Sequence, residues 1–321
     1  MTTTITAPTR VAIVGAGHVG ATFAYGLLLS GLAAEVALID TDRDRAAGEA
    51  MDLGHAVPFN RPARVWAGEL ADARGAALTV VTAGAGQRPG ETRLDLAARN
   101  ADVIRDVVPG IAAANPEGAI IVATNPVDVL TQVAQDASGL PHGRVIGSGT
   151  ILDTARFRFL IGEQLAVDPR SVHGYIVGEH GDSAVPVWSS ASAGGVPIEA
   201  FAAARGVAFG DDERRRIGDQ VRTAAYEVIQ RKGATYYAIA SGLVRLVEAM
   251  LRDQRSVLSV STRMLPEHGY AGVADVCLSV PCVIDRHGVS TVLRLELDPA
   301  EAAALQRSAD VLAEARARVT R

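Results

Sequence analysis

The stretch Val11-Ala12-Ile13-Val14-Gly15-Ala16-Gly17-His18-Val19-Gly20 decides the architecture. Four consecutive apolar residues ending at a glycine read as a short strand buried on both faces. A helix follows, evident over Thr22 to Ser30. Glycine-rich turns are common, but one that closes a buried strand and opens a helix has a specific use. Gly15 permits the tight turn, Gly17 lets the backbone approach a pyrophosphate, and Gly20 lets helix and strand pack closely. The N–H groups that begin the helix then point at phosphate oxygens. Roughly twenty residues on, at the end of the next strand, stands Asp40. A carboxylate there accepts hydrogen bonds from a ribose and repels a 2′-phosphate, which favours NAD over NADP. Taken bare, the same residues are a glycine turn with Asp40 capping the next helix.

Outward from this loop, further buried strands are expected at Val36 to Ile39, Leu78 to Thr82 and Ile120 to Ala123. Helices are expected between them, at Arg43 to His55 and Arg93 to Ala114. Alternation of this kind predicts an α/β fold, a Rossmann-type doubly wound parallel sheet with helices on both faces. Past Gly147 the rhythm changes. Long helices (Ile151 to Leu165, Asp211 to Arg231, Tyr236 to Leu251) mix with antiparallel-looking strands at Val257 to Ser261, Val276 to Ile284 and Ser290 to Glu296. Asp298-Pro299-Ala300-Glu301 places a cap, a first-turn proline and an acid at the start of a last helix. We therefore expect a dinucleotide-binding domain over 1–147 and an α+β substrate or catalytic domain over 148–321, packed together without a linker.

Hydrophobic residues make up 48% and charged residues 21% of the chain, an ordinary globular mix. A net charge of −5 without a long basic run gives no footprint for nucleic acid. The greasiest stretch, Phe23 to Ile39, is interrupted by Gly26, Ser30, Gly31 and Glu35, and no membrane partner is expected. The first ten residues lack the apolar run of a signal peptide, so a cytoplasmic location is expected. Cys277 and Cys282 lie in an apolar run and read as buried hydrophobes. No His/Asp/Glu cluster has ligand spacing, and no metal is expected.

Four more segments carry chemistry. Thr82-Ala83-Gly84-Ala85-Gly86-Gln87-Arg88-Pro89-Gly90-Glu91-Thr92-Arg93 begins where a strand ends and has the glycines and proline of a mobile lid, about 84–93. Thr124-Asn125-Pro126-Val127-Asp128 likewise follows a buried strand; Asn125 either bonds a ligand or shapes the turn. In Leu152-Asp153-Thr154-Ala155-Arg156-Phe157-Arg158, Asp153 and Arg156 share a helix face, while Arg158 lies roughly 200° round from Arg156. Gly178-Glu179-His180-Gly181-Asp182 sets a histidine between glycines after the strand-like run Val172 to Val177. A lone histidine is more often structural; a glycine-flanked one reads as a proton carrier only where an orienting carboxylate such as Asp153 is available.

With Lys232-Gly233-Ala234-Thr235-Tyr236-Tyr237 and Gly147-Ser148-Gly149-Thr150 added, these motifs run in order along the whole chain. In that order and spacing the chain resembles the NAD-dependent L-lactate dehydrogenases of the lactate/malate dehydrogenase family. Gly86 departs from the pattern, which has asparagine more often. The resemblance implies reversible hydride transfer between NADH and pyruvate, giving L-lactate. It makes His180 the acid/base, Asp153 the carboxylate that fixes its tautomer, and Arg156 the bidentate holder of the substrate carboxylate. Arg93 polarises the carbonyl on lid closure, and Asn125 and Thr235 complete the substrate pocket. NAD contacts fall to Gly15, Gly17, Val19, Gly20, Asp40, Gly84, Ala85, Thr124, Asn125 and Ser148. Gln87 matches the lid position where malate dehydrogenases carry an arginine for a second carboxylate, which argues for pyruvate over oxaloacetate.

Arg158 and His173 match positions that the fructose 1,6-bisphosphate-activated bacterial members use for the effector. The resemblance thus implies an allosteric homotetramer; alternatively, the two are an exposed arginine and an ordinary strand histidine. A malate dehydrogenase is disfavoured by Gln87, and an enzyme for bulkier 2-keto acids is left open. An inactive NAD-binding regulatory protein is disfavoured because His180, Asp153, Arg156 and Arg93 are all retained.

Overall fold

A computed structural model describes residues 8–86 and 93–319, apart from the side chains of Arg93 and Leu94. The strands are β1 (Arg10–Val14), β2 (Glu35–Ile39), β3 (Arg64–Gly68), β4 (Leu78–Val81), β5 (Ala119–Val122), β6 (Val145–Gly147), β7 (Val172–Val177), β8 (Val185–Ala193), β9 (Val196–Pro197), β10 (Ser256–Arg263), β11 (Cys277–Asp285) and β12 (Gly288–Val292). The helices are α1 (His18–Ser30), α2 (Arg43–Ala56), α3 (Arg93–Ala114), α4 (Val127–Ser138), α5 (Ile151–Leu165), α6 (Ile198–Arg205), α7 (Asp211–Lys232), α8 (Tyr237–Leu251) and α9 (Pro299–Val319).

The first six strands are parallel and lie in the order β3-β2-β1-β4-β5-β6. This is the doubly wound dinucleotide-binding arrangement. Its central strands are apolar on both faces because helices cover both, and Val11 to Val14, Leu78 to Val81 and Ala119 to Val122 are all buried. From β1 the chain winds to β2 on one side and later to β4 on the other. The crevice past the ends of β1 and β4 is therefore the place where such sheets take ligands.

The antiparallel strands β10, β11 and β12 do not form a separate sheet. They continue the parallel one, since Ser261 of β10 pairs with Gly147 of β6, giving nine strands in a single sheet. That join sits at the expected division between 147 and 148, so one hydrophobic core runs through both halves. A smaller core, built on Phe157, Ile161, Leu165, Val172 and Ile198, lies between α5, α6, α7 and the β7-β8-β9 sheet.

The last helix begins as its sequence predicts. The Asp298 carboxylate accepts from the N–H groups of Ala300 and Glu301, and the Glu301 carboxylate accepts from the Asp298 N–H. Among the described residues no helix is long and apolar enough to cross a membrane.

Candidate active site

At the ligand crevice, Gly15 has φ +108° and a Cβ there would sit 2.5 Å from the Ala83 nitrogen. A Cβ on Gly20 would overlap the Gly15 carbonyl oxygen. On Gly17, by contrast, a Cβ would meet nothing within 4 Å. The loop is thus packed at two glycines and open at the third, as a backbone that receives a pyrophosphate requires. The residues fit a dinucleotide. Asp40 does not cap the next helix; Asp42 does, accepting from the Arg45 N–H at 3.0 Å. The Asp40 carboxylate instead accepts from the N–H groups of Ala16 (2.7 Å) and Asp42 (2.9 Å), so it braces the glycine loop from the strand end.

The segments after β4 and β5 are stitched to that loop. The Thr82 hydroxyl donates to the Gly15 carbonyl and the Thr124 hydroxyl to the Ala83 carbonyl. Asn100, a buried polar residue of α3, accepts from the Ala85 N–H and donates to the Asn125 carbonyl. It ties the Ala85 segment to the Asn125 segment. Asn100 escaped the sequence reading; its only signal was a polar side chain on the apolar stripe of a helix. Ser148 is buried where β6 ends, its N–H bonded to Val122.

Beyond these loops lies a second cluster, on α5. Thr150 and Thr154 flank Asp153, and their hydroxyls bond the carbonyl and N–H of Ile176. The helix is thereby clamped to β7 beside the histidine that follows it. Asp153, 5% exposed, accepts from Arg156 Nη1 at 2.7 Å through one oxygen and bonds His180 Nδ1 through the other. Among the described residues the remaining Arg156 N–H groups and His180 Nε2 are unengaged. A cation for a carboxylate and an imidazole nitrogen for a proton thus share one buried anion.

The backbone leading to His180 is pinned one residue at a time. Gly178, φ +86°, exchanges both backbone bonds with Ser279 of β11. The Glu179 N–H donates to the Ser308 hydroxyl of α9, and the His180 N–H to the Asp128 carboxylate of α4 at 2.7 Å. Ser308 and Asp128 were not expected among the site residues.

Burial works against both charged partners, and their pairing overcomes it. Burial depresses the His180 pKa, but the charge and hydrogen bond of Asp153, with a further pull from Asp128, leave it above the ordinary histidine value. Burial likewise raises Asp153, yet His180 and Arg156 hold it below the usual carboxylate range. Both directions favour the charged forms, imidazolium beside carboxylate.

Two models of the lactate/malate dehydrogenases match the chain: the NAD binding domain over residues 9–147 and the alpha/beta C-terminal domain over residues 150–320. The chain belongs to the lactate/malate dehydrogenase family. It is 54% identical over 303 residues to an L-lactate dehydrogenase of Thermus aquaticus, covering 94% of this chain and 97% of that one. It is 47% identical over 319 residues to an L-lactate dehydrogenase of Priestia megaterium, covering 99% of each. The crystal structure of the minor L-lactate dehydrogenase from Enterococcus mundtii, in a ligands-bound form, is similar with a TM-score of 0.92 and 41% identity, covering 96% of this chain and 98% of that one.

As a member of the lactate/malate dehydrogenase family, the chain is an NAD-dependent oxidoreductase. The remaining expected site residues fall as follows. Thr235 lies in the turn between α7 and α8, next to Tyr236, whose ring stacks on His18 of the glycine loop with centroids 5.2 Å apart. That stack ties the Thr235 turn to the cofactor loop. Arg158 turns away from the Asp153 cluster: its Nε donates to the Gly174 carbonyl and its guanidinium lies 5.3 Å from the Tyr175 ring centroid. His173, the neighbour of Gly174, is exposed. Gln87 and the side chain of Arg93 lie outside the described residues.

Proposed function

We propose that the chain is an L-lactate dehydrogenase that interconverts pyruvate and L-lactate in the cytoplasm. The observation that carries this reading is the shared carboxylate: Asp153 joins His180 Nδ1 and Arg156, leaving Nε2 and the rest of the guanidinium for a substrate.

The roles follow from what each group can do. Arg156 binds the carboxylate of the 2-keto acid through parallel charge-assisted bonds, which fixes the carbonyl beside His180. The imidazolium of His180 gives its Nε2 proton to the keto oxygen, and in the reverse direction neutral His180 takes the proton of the hydroxyl. Asp153 accepts from Nδ1–H, which leaves Nε2 as the nitrogen that gives and takes the proton, and it stabilises the cation. Arg93 polarises the carbonyl, and Asn125 and Thr235 bound the pocket. NADH, when bound, supplies the hydride that reduces the carbonyl carbon. The glycine loop (Gly15, Gly17, Val19, Gly20), Asp40 and the stitched segments with Gly84, Ala85, Thr124, Asn125 and Ser148 hold it. Domains over 1–147 and 148–321 then correspond to cofactor and substrate halves.

Gln87 selects the monoanion. An uncharged amide cannot neutralise the second carboxylate of oxaloacetate, and burying an unpaired carboxylate costs about 3–5 kcal/mol, roughly a hundred- to several thousand-fold in rate. The reading extends to a homotetramer activated by fructose 1,6-bisphosphate through Arg158 and His173. Its support is that Arg158 bonds the residue next to exposed His173, away from the catalytic cluster. NADH oxidation with pyruvate, oxaloacetate and bulkier 2-keto acids, each with and without the sugar bisphosphate, tests the whole proposal. Pyruvate should lead, with activation at low concentration; preference for oxaloacetate would reject the substrate assignment.

A further inference from the structure

Asp128 has no part in the chemistry described above, yet it is among the most deeply buried acids of the chain, 2% exposed. It lies in the first turn of α4, directly after the Asn125-Pro126 segment on the cofactor side. One of its oxygens accepts the His180 N–H at 2.7 Å. The other oxygen makes no well-formed hydrogen bond among the described residues, and neither does the buried Ser261 hydroxyl of β10. A buried carboxylate is costly to keep, and apolar residues would fill its space without that cost. Among the described residues its only well-formed side-chain bond is to the backbone of the histidine that the proposed reaction turns toward the substrate.

We propose that Asp128 is a positioning residue for this reaction: it fixes the His180 backbone to α4 and supplies a second negative charge near the imidazolium. The inference rests on His180 being the acid/base. The pinning is physical. Gly178 and Glu179 are held by β11 and α9, whereas His180 is held by the helix that follows the cofactor-side loop. The proton donor and the face that receives NAD are thereby tied together, and a misplacement of about 1 Å between reacting groups costs on the order of a hundredfold in rate.

The electrostatics point the same way. The groups that act on Asp128 are His180 and Glu179 from the β7–β8 loop and the Ser261 hydroxyl of β10; the Cys277 thiol of β11 feels its charge in turn. Burial pushes its carboxyl up to about 6, against the pull of Ser261 and His180. Above that pH its charge reinforces Asp153 in holding the proton on His180.

Asp128→Asn separates the two roles, because the amide still accepts from His180 and can donate to Ser261 but carries no charge. At low pH its kcat/KM for pyruvate should stay within about threefold of the parent, with the deficit growing as pH rises. Asp128→Ala removes the anchor as well and should lose on the order of a hundredfold in kcat, with NADH affinity retained. NMR titration of the His180 ring reads the charge effect without any turnover, so it stands even if pyruvate proves not to be the substrate. The ring should titrate at lower pH in both variants. An unmoved His180 titration, with the same pH-independent loss in both variants, overturns the proposal. If Asp128→Ala does not fold, the Asn variant and its titration decide.

Discussion

Replacing Asp153 by asparagine tests the shared anion. The carboxylate serves two cations at once, bonding Arg156 Nη1 at 2.7 Å and His180 Nδ1. Asparagine keeps the shape and removes the charge, leaving imidazolium and guanidinium facing each other without compensation. Removing one partner from a buried ion pair costs about 3–5 kcal/mol. The His180 and Arg156 side chains keep 25% and 18% of their exposure, so solvent screens part of this and the lower end applies. That cost falls on the fold; losing the charge that sustains the imidazolium should in addition cost roughly a hundredfold in kcat/KM for pyruvate, the low end of general acid–base catalysis. The loss should depend on pH. In the proposed mechanism pyruvate reduction needs the imidazolium, whose pKa Asp153 raises, so in the variant the rate should begin to fall at lower pH than in the parent. Lactate oxidation needs the neutral ring and should suffer less at low pH. Initial rates of NADH oxidation and NAD reduction across the pH range measure both. A loss below about threefold, with the alkaline limb unmoved, would show that Asp153 does not support the charge on His180.

Other outcomes follow from the same geometry. Gly20→Ala drives a methyl group into the Gly15 carbonyl oxygen, so it should weaken NADH binding at least about tenfold and destabilise the fold by about 1–3 kcal/mol, read by fluorescence titration and thermal melting. Gln87→Arg should raise kcat/KM for oxaloacetate and lower it for pyruvate, shifting the ratio roughly a hundredfold or more; steady-state kinetics with both acids show it, and an unchanged ratio rejects the role of Gln87. Under the proposed activation by fructose 1,6-bisphosphate, Arg158→Gln should lose the response that the parent gives at low pyruvate; no response in the parent, or an undiminished one in the variant, would reject the proposed effector role of Arg158.

How much of this was legible in the sequence depended on how local the signal was. Strands β1, β2, β4 and β5 show as short apolar runs because both their faces are covered, and the i,i+3 spacing puts Asp153 and Arg156 on one helix face, while the roles of Asp153, Arg156 and His180 are implied by the family resemblance. By contrast β3, Arg64–Gly68, mixes exposed and half-buried residues at the sheet edge and gives no continuous run. The continuation of the parallel sheet into β10, β11 and β12 depends on one pairing, Gly147 with Ser261, between residues far apart in the chain. The supports of the site were hidden for the same reason. Asp128 meets His180 across 52 positions, and Ser308 meets Glu179 across 129. No periodicity encodes such pairs; a polar residue on an apolar face is their only trace.

In the proposed mechanism the His180 imidazolium delivers the proton while the cofactor site stays independent of it. His180→Asn, assayed for pyruvate reduction alongside NADH titration, addresses this directly. In this variant kcat should fall about 10²–10⁴-fold with NADH affinity preserved. Turnover within a few-fold of the parent would rule out His180 as the proton donor.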